Sequence, residues 1–451
     1  MTSARWVAFD TLRAVHDSDA YANLLLPTEI ARAGLSGADA GLATELTYGT
    51  LRREGTYDAV VADAAGRPAG EIDPVILDAL RLGVHQLLSM RIPAHAAVNE
   101  TVRQVRAAAG PGPARFANAV LRRVSERSPD EWITRIEAGA RSDDERLALR
   151  YAHPVWVIRA FRRALAAEGR SDELLALLAA DNAAPAVTMV ALPGLVDVPE
   201  GAERTTYSPI GFRHGGGDPT RLVAGSGGRI RVQDEGSQLA ALALARAFPV
   251  ADGERWLDLC AGPGGKTAVL AAEALATGAR LEANEVSAAR AGLVRDSVSG
   301  VPVDVPVSEE DGRTRAAHGR YHRILVDAPC TGLGALRRRP EARWRKTPSD
   351  VPELAALQTE LLSAAVAALA PGGVVAYVTC SPHLAETAAI VAEVRRASDV
   401  ELEELNAREV VASLSASPID LAPPADGSGR AQLWPHRHGT DAMSISLLRR
   451  R

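Results

Sequence analysis

The residues of this chain best suited to covalent chemistry are its three cysteines, each of which follows an apolar run typical of a strand. They are Cys260 after RWLDL, Cys330 after YHRILVDAP and Cys380 after GGVVAYVT. A buried cysteine at a strand end is commonly an inert packing residue, and this interpretation leads for any one of the three. For Cys330 and Cys380 together we expect otherwise, because both would emerge at the ligand edge of a sheet, beside Asp327, where a thiolate could reach a substrate.

A glycine-rich turn follows the first of these strands and opens a helix. Its residues are Cys260, Ala261, Gly262, Pro263, Gly264, Gly265, Lys266 and Thr267. A Walker loop needs glycine where Cys260 stands, and a dinucleotide fingerprint needs glycine where Thr267 stands. Glu285, about twenty residues further on, ends the next strand and could accept both ribose hydroxyls of a nucleoside. The two features favour an uncharged nucleoside such as S-adenosylmethionine, although a plain structural turn explains the glycines alone equally well.

The elements that would position these groups follow two patterns. From Trp6 to about residue 140 the apolar residues recur at helical spacing, whereas after Arg229 strand-like runs alternate with helical stretches. Such alternation is typical of a parallel sheet with crossover helices. We therefore predict a multidomain chain with an all-α domain at 1–140, a connecting helical and mixed module at 141–228, and an α/β Rossmann-like domain at 229–451.

Four motifs occur in the C-terminal part: LDLCAGPGGKT, ANEVS, DAPCTGLG and TCSPH. In this order and spacing they resemble the RNA cytosine-5 methyltransferase family, and VQDEGSQLA at 232–240 resembles the segment that precedes its cofactor domain. Near the N-terminus, AVNETVRQVR at 97–106 and FANAVLRRV at 116–124 resemble NusB, a helical antitermination factor that binds RNA. The resemblances together imply a NusB-like RNA-binding domain joined to a methyltransferase domain, as in bacterial enzymes that methylate 16S ribosomal RNA.

The family resemblance also implies roles for individual residues. Carbon 5 of cytosine is too weak a nucleophile to take a methyl group unaided, so a thiolate must first attack carbon 6. Cys380, in the TCS motif, would be this nucleophile, Cys330, in the PCT motif, would assist its release, and Asp327 would face the cytosine. S-adenosyl-L-methionine would be bound or bordered by the turn from Cys260 to Lys266 and by Glu285, Asp311 and Asp327.

A basic run directly follows the DAPCTGLG motif in a chain whose formal net charge is -5. A run of charges is usually a solvated face. Because of its place after the motif, we expect this run to overhang the catalytic pocket and bind RNA phosphates, with a tryptophan stacking on a base. The residues are Arg337, Arg338, Arg339, Arg343, Trp344, Arg345 and Lys346.

Several kinds of protein are disfavoured by what the sequence lacks. No uninterrupted apolar run is long enough to span a membrane, so we expect a cytoplasmic protein without a membrane partner. No Cys/His cluster has zinc spacing, and His383, His436 and His438 lack a third ligand, so we expect no metal. We further expect a monomer. Two alternatives stay open: the same chemistry on transfer RNA, and a catalytically silent NusB-like RNA-binding or assembly factor.

Overall fold

The computed structural model describes residues 3–18 and 20–451, which fall into two compact units. The helical unit comprises the described residues up to Arg159 together with Leu178–Ala184 and Leu336–Lys346. The sheet unit comprises Ala160–Leu177, Pro185–Ala335 and Thr347–Arg451. Within the described ranges, no helix combines the length and the apolar character that crossing a membrane demands.

The helices are numbered in chain order. Their bounds are α1 Ala4–Asp17, α2 Ala22–Arg32, α3 Gly37–Arg52, α4 Glu54–Ala65, α5 Pro74–Leu88, α6 Ala94–Ala109, α7 Pro111–Ser125, α8 Pro129–Glu137, α9 Asp143–Tyr151, α10 Val155–Ala166, α11 Leu174–Asp181, α12 Pro219–Gly225, α13 Glu235–Ala245, α14 Gly265–Thr277, α15 Ala288–Val298, α16 Gly312–Arg315, α17 Ala342–Arg345, α18 Asp350–Ala368, α19 Ala388–Ala397, α20 Ala407–Leu414 and α21 Pro435–His438. Short 3-10 helices span Ala69–Glu71, Ser171–Glu173, Ala316–His318, Leu333–Ala335 and Leu384–Glu386.

Local sequence signals explain where helices of the helical unit begin. Asp73 caps α5 by accepting a hydrogen bond from the amide of Val75, and Ser128 and Glu131 form a reciprocal capping box at α8. Residues from α1 and α3 to α8 share one apolar core. Trp132 is buried there, and its Nε1 donates to the carbonyl of Val124 at 2.9 Å. The predicted all-helical N-terminal domain is confirmed.

Residues 336–346, here called the strap, belong to the helical unit although they follow a motif of the sheet unit. Arg343 anchors the strap and is 0% exposed. Its Nη1 donates to the carbonyls of Arg52 at 2.8 Å and Ala152 at 3.0 Å, and to Oδ1 of Asn182 at 2.9 Å. Burial lowers the pKa of Arg343 to about 10, so the guanidinium remains charged at neutral pH.

Other strap side chains also face inward. Arg345 Nη2 donates to the carbonyls of Val15 and Ala20 at 2.8 and 2.6 Å. The ring of Trp344 packs so closely on α4 that a Cβ at Gly55 would come within 2.3 Å of it. Buried guanidinium groups cannot contact RNA, so the structure corrects that expectation for two residues of the basic run. These are Arg337, which is 7% exposed, and Arg343; Trp344 and Arg345 are partly buried.

The strands of the sheet unit are also numbered in chain order. Their bounds are β1 Thr188–Ala191, β2 Gly211–Arg213, β3 Ile230–Val232, β4 Arg255–Asp258, β5 Arg280–Asn284, β6 Val307–Ser308, β7 Tyr321–Asp327, β8 Leu369–Thr379, β9 Leu402–Leu405, β10 Ala431–Gln432 and β11 Ser444–Arg450.

The main sheet has the order β10-β11-β8-β7-β4-β5-β6, with β9 paired to β11. Strands β4 to β8 are parallel where they pair, and β11 is antiparallel to β8. Along β7, Leu325 enters one apolar core, whereas Ile324 and Val326 enter another. Burial on both faces explains why these strands read as continuous apolar runs. The predicted α/β Rossmann-like fold is confirmed.

A small antiparallel sheet of order β2-β1-β3 precedes the main one. Met189, Phe212 and Ile230 form its apolar side. Helix α13 holds it, because Gln238 Nε2 donates to the carbonyl of Met189 at 3.2 Å and Glu235 accepts from the amide of Ser208 at 2.7 Å. The residues of the segment 141–228 divide between the two units.

Replacing Arg343 with methionine tests the anchoring of the strap. Each buried acceptor left without a donor costs about 1–3 kcal/mol, so Arg343→Met should lower the free energy of unfolding by about 3 kcal/mol. Urea unfolding followed by circular dichroism measures this. Arg339→Met, at an exposed position of the strap, is the matched control and should change the value by less than about 0.5 kcal/mol. Equal effects of the two variants would contradict the anchoring role.

Candidate active site

Three neighbouring parallel strands end at one edge of the main sheet. Strand β4 ends at Asp258 before the glycine-rich turn, β7 ends at Asp327, and β8 ends at Thr379 before Cys380. In the pairing register, Asp258 lies beside Leu325, and Asp327 lies beside Val378. The topology therefore brings the predicted groups to the edge where ligands of parallel sheets bind.

Two of the three cysteines form a close pair. Sγ of Cys330 lies 3.4 Å from Sγ of Cys380, and both residues are partly buried. The hydrogen bond with Cys380 and burial raise the pKa of the Cys330 thiol well above its ordinary value. Burial also raises the pKa of Cys260. Cys330 and Cys260 are therefore neutral thiols near pH 7, which suits them poorly as nucleophiles.

Lys266 and Asp327 form an ion pair beside the thiols. Nζ of Lys266 lies 2.7 Å from Oδ2 of Asp327, with 10% and 26% of the two side chains exposed. Burial disfavours the ammonium, yet the attraction to Asp327, the hydrogen bond with it and the nearby negative charges together raise the pKa of Lys266. A negative charge on Cys380 raises it further. The same attraction stabilises a thiolate at Cys380, since interactions between titrating groups are reciprocal.

Asp258 lies fully buried behind this pair, at 1% exposure. Its Oδ2 accepts a hydrogen bond from Thr267 Oγ1 at 2.7 Å, and its Oδ1 has no hydrogen-bond partner among the described residues. Burial raises the pKa of Asp258 to about 7, and repulsion from Asp327 adds to the effect. Near neutral pH, Asp258 therefore exists in part as a neutral carboxyl group under the ion pair. Sequence reasoning passed over Asp258, although it lies within the LDLC motif.

The glycine-rich turn requires two of its glycines. Gly264 adopts a φ of 101° at the start of α14, a conformation that side chains disfavour. A Cβ at Gly262 would lie 2.3 Å from Oε2 of Glu285. The amide of Gly262 donates to that oxygen at 3.1 Å, and the amide of Ser287 donates to Oε1 at 3.0 Å. Glu285, 3% exposed, therefore lies directly against the turn, as the nucleoside interpretation expects.

Asp311 stands at the same edge, after β6. It caps α16, and hydrogen bonds from Arg313 lower the pKa of its carboxyl group to about 2. Asn284 precedes Glu285 and was not singled out from the sequence. Its side chain joins the loops that follow β4 and β6. Its Nδ2 donates to the carbonyls of Leu259 at 3.2 Å and Glu310 at 3.0 Å. The ANEVS motif thus contributes a buried amide that positions the loops as well as an acidic group.

The three histidines considered as ligands serve the fold. His436 Nε2 pairs with Glu173 at 2.8 Å, and His438 Nδ1 accepts from the amide of Trp434 at 2.8 Å. Nδ1 of His383 accepts from the amide of Ala385 at 3.2 Å. Throughout the described ranges, no three His, Cys, Asp or Glu side chains converge as metal ligands do.

The donor set fits S-adenosylmethionine. Glu285 against the glycine turn suits ribose hydroxyls, and carboxylates follow β5, β6 and β7 along the edge. An edge rich in carboxylates favours a cofactor that carries a positive sulfonium and disfavours a pyrophosphate. Lys266, the cation of the turn, is already paired with Asp327.

The raised pKa of Asp258 predicts a specific pH dependence of stability. Between its ordinary value of 3.8 and about 7, the folded state holds a proton that the unfolded state has lost, so the stability falls as pH rises through this window. Asp258→Asn keeps an acceptor for Thr267 and removes the titration. The free energy of unfolding of this variant should therefore fall less than that of the unmodified chain between about pH 5 and pH 8, by about 2–3 kcal/mol. An equal fall in the free energy of unfolding of Asp258→Asn and of the unmodified chain would refute this prediction. Asp296→Asn, on the exposed side of α15, is the control.

Comparison with known proteins agrees with this arrangement. The family model described as 16S rRNA methyltransferase RsmB/F matches residues 245–449, and the NusB family model matches residues 2–126. A putative methyltransferase of Mycobacterium tuberculosis is 49% identical over 99% of this chain and 96% of its own length. The ribosomal RNA small subunit methyltransferase B of Erwinia tasmaniensis is 31% identical over 95% of this chain and 96% of its own length.

Solved structures share the fold. The crystal structure of PH0851 has a TM-score of 0.79 at 23% identity and covers 98% of this chain and 97% of its own. NSun6 from Pyrococcus horikoshii with SFG has a TM-score of 0.53 at 18% identity, covering 66% of this chain and 98% of its own. With the two family matches and the full-length relatives, the chain belongs to the RsmB/F family of S-adenosylmethionine-dependent RNA methyltransferases and carries an N-terminal NusB domain.

Proposed function

We propose that this protein methylates carbon 5 of a cytosine in 16S ribosomal RNA through a covalent adduct at Cys380. The observation that carries the proposal is the thiol pair at 3.4 Å next to the Lys266–Asp327 ion pair. A nucleophile, a neutral thiol and an adjacent charge pair are the groups that this reaction needs. The relatives named ribosomal RNA small subunit methyltransferase B support the choice of substrate.

The first step assigns a role to each member of the ion pair. Lys266 stabilises the thiolate of Cys380, whose Sγ forms a bond to carbon 6 while the electron pair of the 5,6 double bond moves toward carbon 5. Asp327, held by Lys266, binds the exocyclic amino group and protonated nitrogen 3 of the base. Reaching these atoms requires the cytosine to leave its stack and enter the site.

The second step releases the product. Once carbon 5 bears the methyl group, a base removes its proton, the double bond re-forms, and the bond between carbon 6 and Sγ of Cys380 breaks. Cys330 holds a neutral thiol 3.4 Å from that sulfur and stabilises the departing thiolate by donating a hydrogen bond to it. The resemblance-based roles of the two cysteines are thus consistent with their different electrostatic surroundings.

S-adenosylmethionine, when bound, supplies the electrophilic methyl group. Glu285 takes the ribose hydroxyls, and Asp311 and Asp327 border the cofactor, with the turn from Cys260 to Lys266 closing against it. RNA phosphates meet the NusB domain and those members of the basic run that the strap leaves more accessible, namely Arg338, Arg339 and Lys346.

Methyl transfer tests the proposed substrate. Purified protein is incubated with labelled S-adenosylmethionine and unmethylated 16S or transfer RNA, and the product nucleosides are identified. We expect label as 5-methylcytidine in 16S RNA, because the thiol pair suits carbon 5 and the relatives act on the small subunit. Label confined to transfer RNA would overturn 16S ribosomal RNA as the proposed substrate and leave the proposed mechanism standing. Absence of label from both RNAs and from partly assembled small subunits would favour a silent RNA-binding factor.

Cysteine variants test the mechanism. Cys380→Ala should abolish both methyl transfer and the covalent protein–RNA complex, because no thiolate can attack carbon 6. Cys330→Ala should let that complex accumulate, because the departing thiolate lacks its hydrogen-bond donor. Denaturing gel electrophoresis with labelled RNA measures the complex, and the double variant, which should form none, is the control. Accumulation in Cys380→Ala instead would exchange the two roles.

A further inference from the structure

A buried carboxylate lies behind the two cysteine-bearing loops. Glu386 is 0% exposed and follows β8 by seven residues, in the short 3-10 helix Leu384–Glu386. Tyr377 fixes this segment to the sheet, since its hydroxyl donates to the carbonyl of Glu386 at 2.7 Å. A buried charge is costly unless donors surround it, so the source of those donors indicates its purpose.

The donors come from the two catalytic motifs. The amide and the hydroxyl of Thr331 donate to Oε1 and Oε2 of Glu386 at 2.7 and 2.5 Å. The hydroxyl of Ser381 donates to Oε2 at 2.7 Å. Thr331 directly follows Cys330, and Ser381 directly follows Cys380. One carboxylate therefore binds the neighbour of each reactive thiol.

Further bonds close this network around the carboxylate. Gln358, on α18, donates through Nε2 to Oε1 of Glu386 at 3.3 Å and to the carbonyl of Pro329 at 2.8 Å. The amide of Gly334 donates to the carbonyl of Cys380 at 2.8 Å. The loop after Cys330 and the loop after Cys380 are thus joined in two ways, by this direct hydrogen bond and through Glu386. The carboxylate of Glu386 accepts hydrogen bonds from both loops.

We propose that Glu386 is a positioning residue that holds Cys330 and Cys380 at the thiol separation needed for adduct release. The catalytic part of this role rests on the proposed covalent mechanism, whereas the geometric part does not. A hydrophobic or amide side chain of similar volume cannot accept from both loops in the same way. An amide oxygen can replace one carboxylate oxygen, but the amide nitrogen cannot accept from the other donors, so the charge-assisted hydrogen bonds from the two loops are lost.

The test compares Glu386→Gln with Glu393→Gln, which changes an exposed glutamate on α19. Phenylarsine oxide is the probe, because it bridges two adjacent thiols and releases water. The bridged product is quantified by mass spectrometry of peptides that contain Cys330 and Cys380. We expect Glu386→Gln to slow bridging at least about tenfold, since a displacement near 1 Å can change rates by about a hundredfold. Glu393→Gln should bridge at the unmodified rate.

Steady-state methyl transfer supplies the second measurement. Glu386→Gln should lower kcat at least about tenfold, with the KM for RNA and for S-adenosylmethionine within about twofold. Unchanged bridging and kcat would overturn the positioning role, as would a loss confined to KM. If Glu386→Gln does not fold, Thr331→Val, which removes one hydroxyl donor, must show the same effects in weaker form or the proposal fails. Bridging is measured without RNA, so failure of the covalent mechanism leaves this part of the test intact.

Discussion

The pairing of β7 with both β4 and β8 determines which side chains can meet in this protein. Because all three strands run parallel, the segments after Asp258, Asp327 and Thr379 start from one edge although they lie far apart in sequence. Burial on both faces fixes the register, since a shift by one residue would turn apolar side chains away from their cores. The thiol separation, the ion pair and the glycine turn all depend on this alignment.

Electrostatic balance at that edge depends on the pairing of its carboxylates with cations: Asp327 with Lys266, Glu285 with Arg290, and Asp311 with Arg313. Lys266 contacts Asp327 and also favours negative charge on Cys380. Asp258, buried beneath, has its pKa raised far enough to be partly protonated near neutral pH, which limits the repulsion that Asp327 experiences. A chain with only two lysines among its 51 basic residues places one of them here. A compact ammonium fits this narrow position better than a planar guanidinium does.

Much of the architecture could be predicted from sequence because apolar periodicity reports burial directly. The strand-like runs around Leu257, Leu325 and Ala376 and the helical spacing before residue 140 correspond to the observed elements. The antiparallel strand β11 was not predicted, since SISLLRR lacks a distinctive pattern of its own. Glu386 and Asn284 escaped notice because a buried polar residue has the same sequence signal as an exposed one. Only their hydrogen-bond partners reveal their positions.

Two residues of the basic run were misinterpreted for a related physical reason. Arg337 and Arg343 were expected to bind RNA because they follow the DAPCTGLG motif in sequence, but their side chains are buried and belong to the helical unit. The charge on Arg343 is satisfied by carbonyls, which have no sequence identity and cannot be recognised beforehand.

The strap also links the order of synthesis to completion of the helical unit. Arg343 binds carbonyls of residues made 291 and 191 positions earlier. Until the strap has been made, the carbonyls of Arg52 and Ala152 lack this donor. A chain that ends before Arg343 therefore cannot complete the packing of its helical unit.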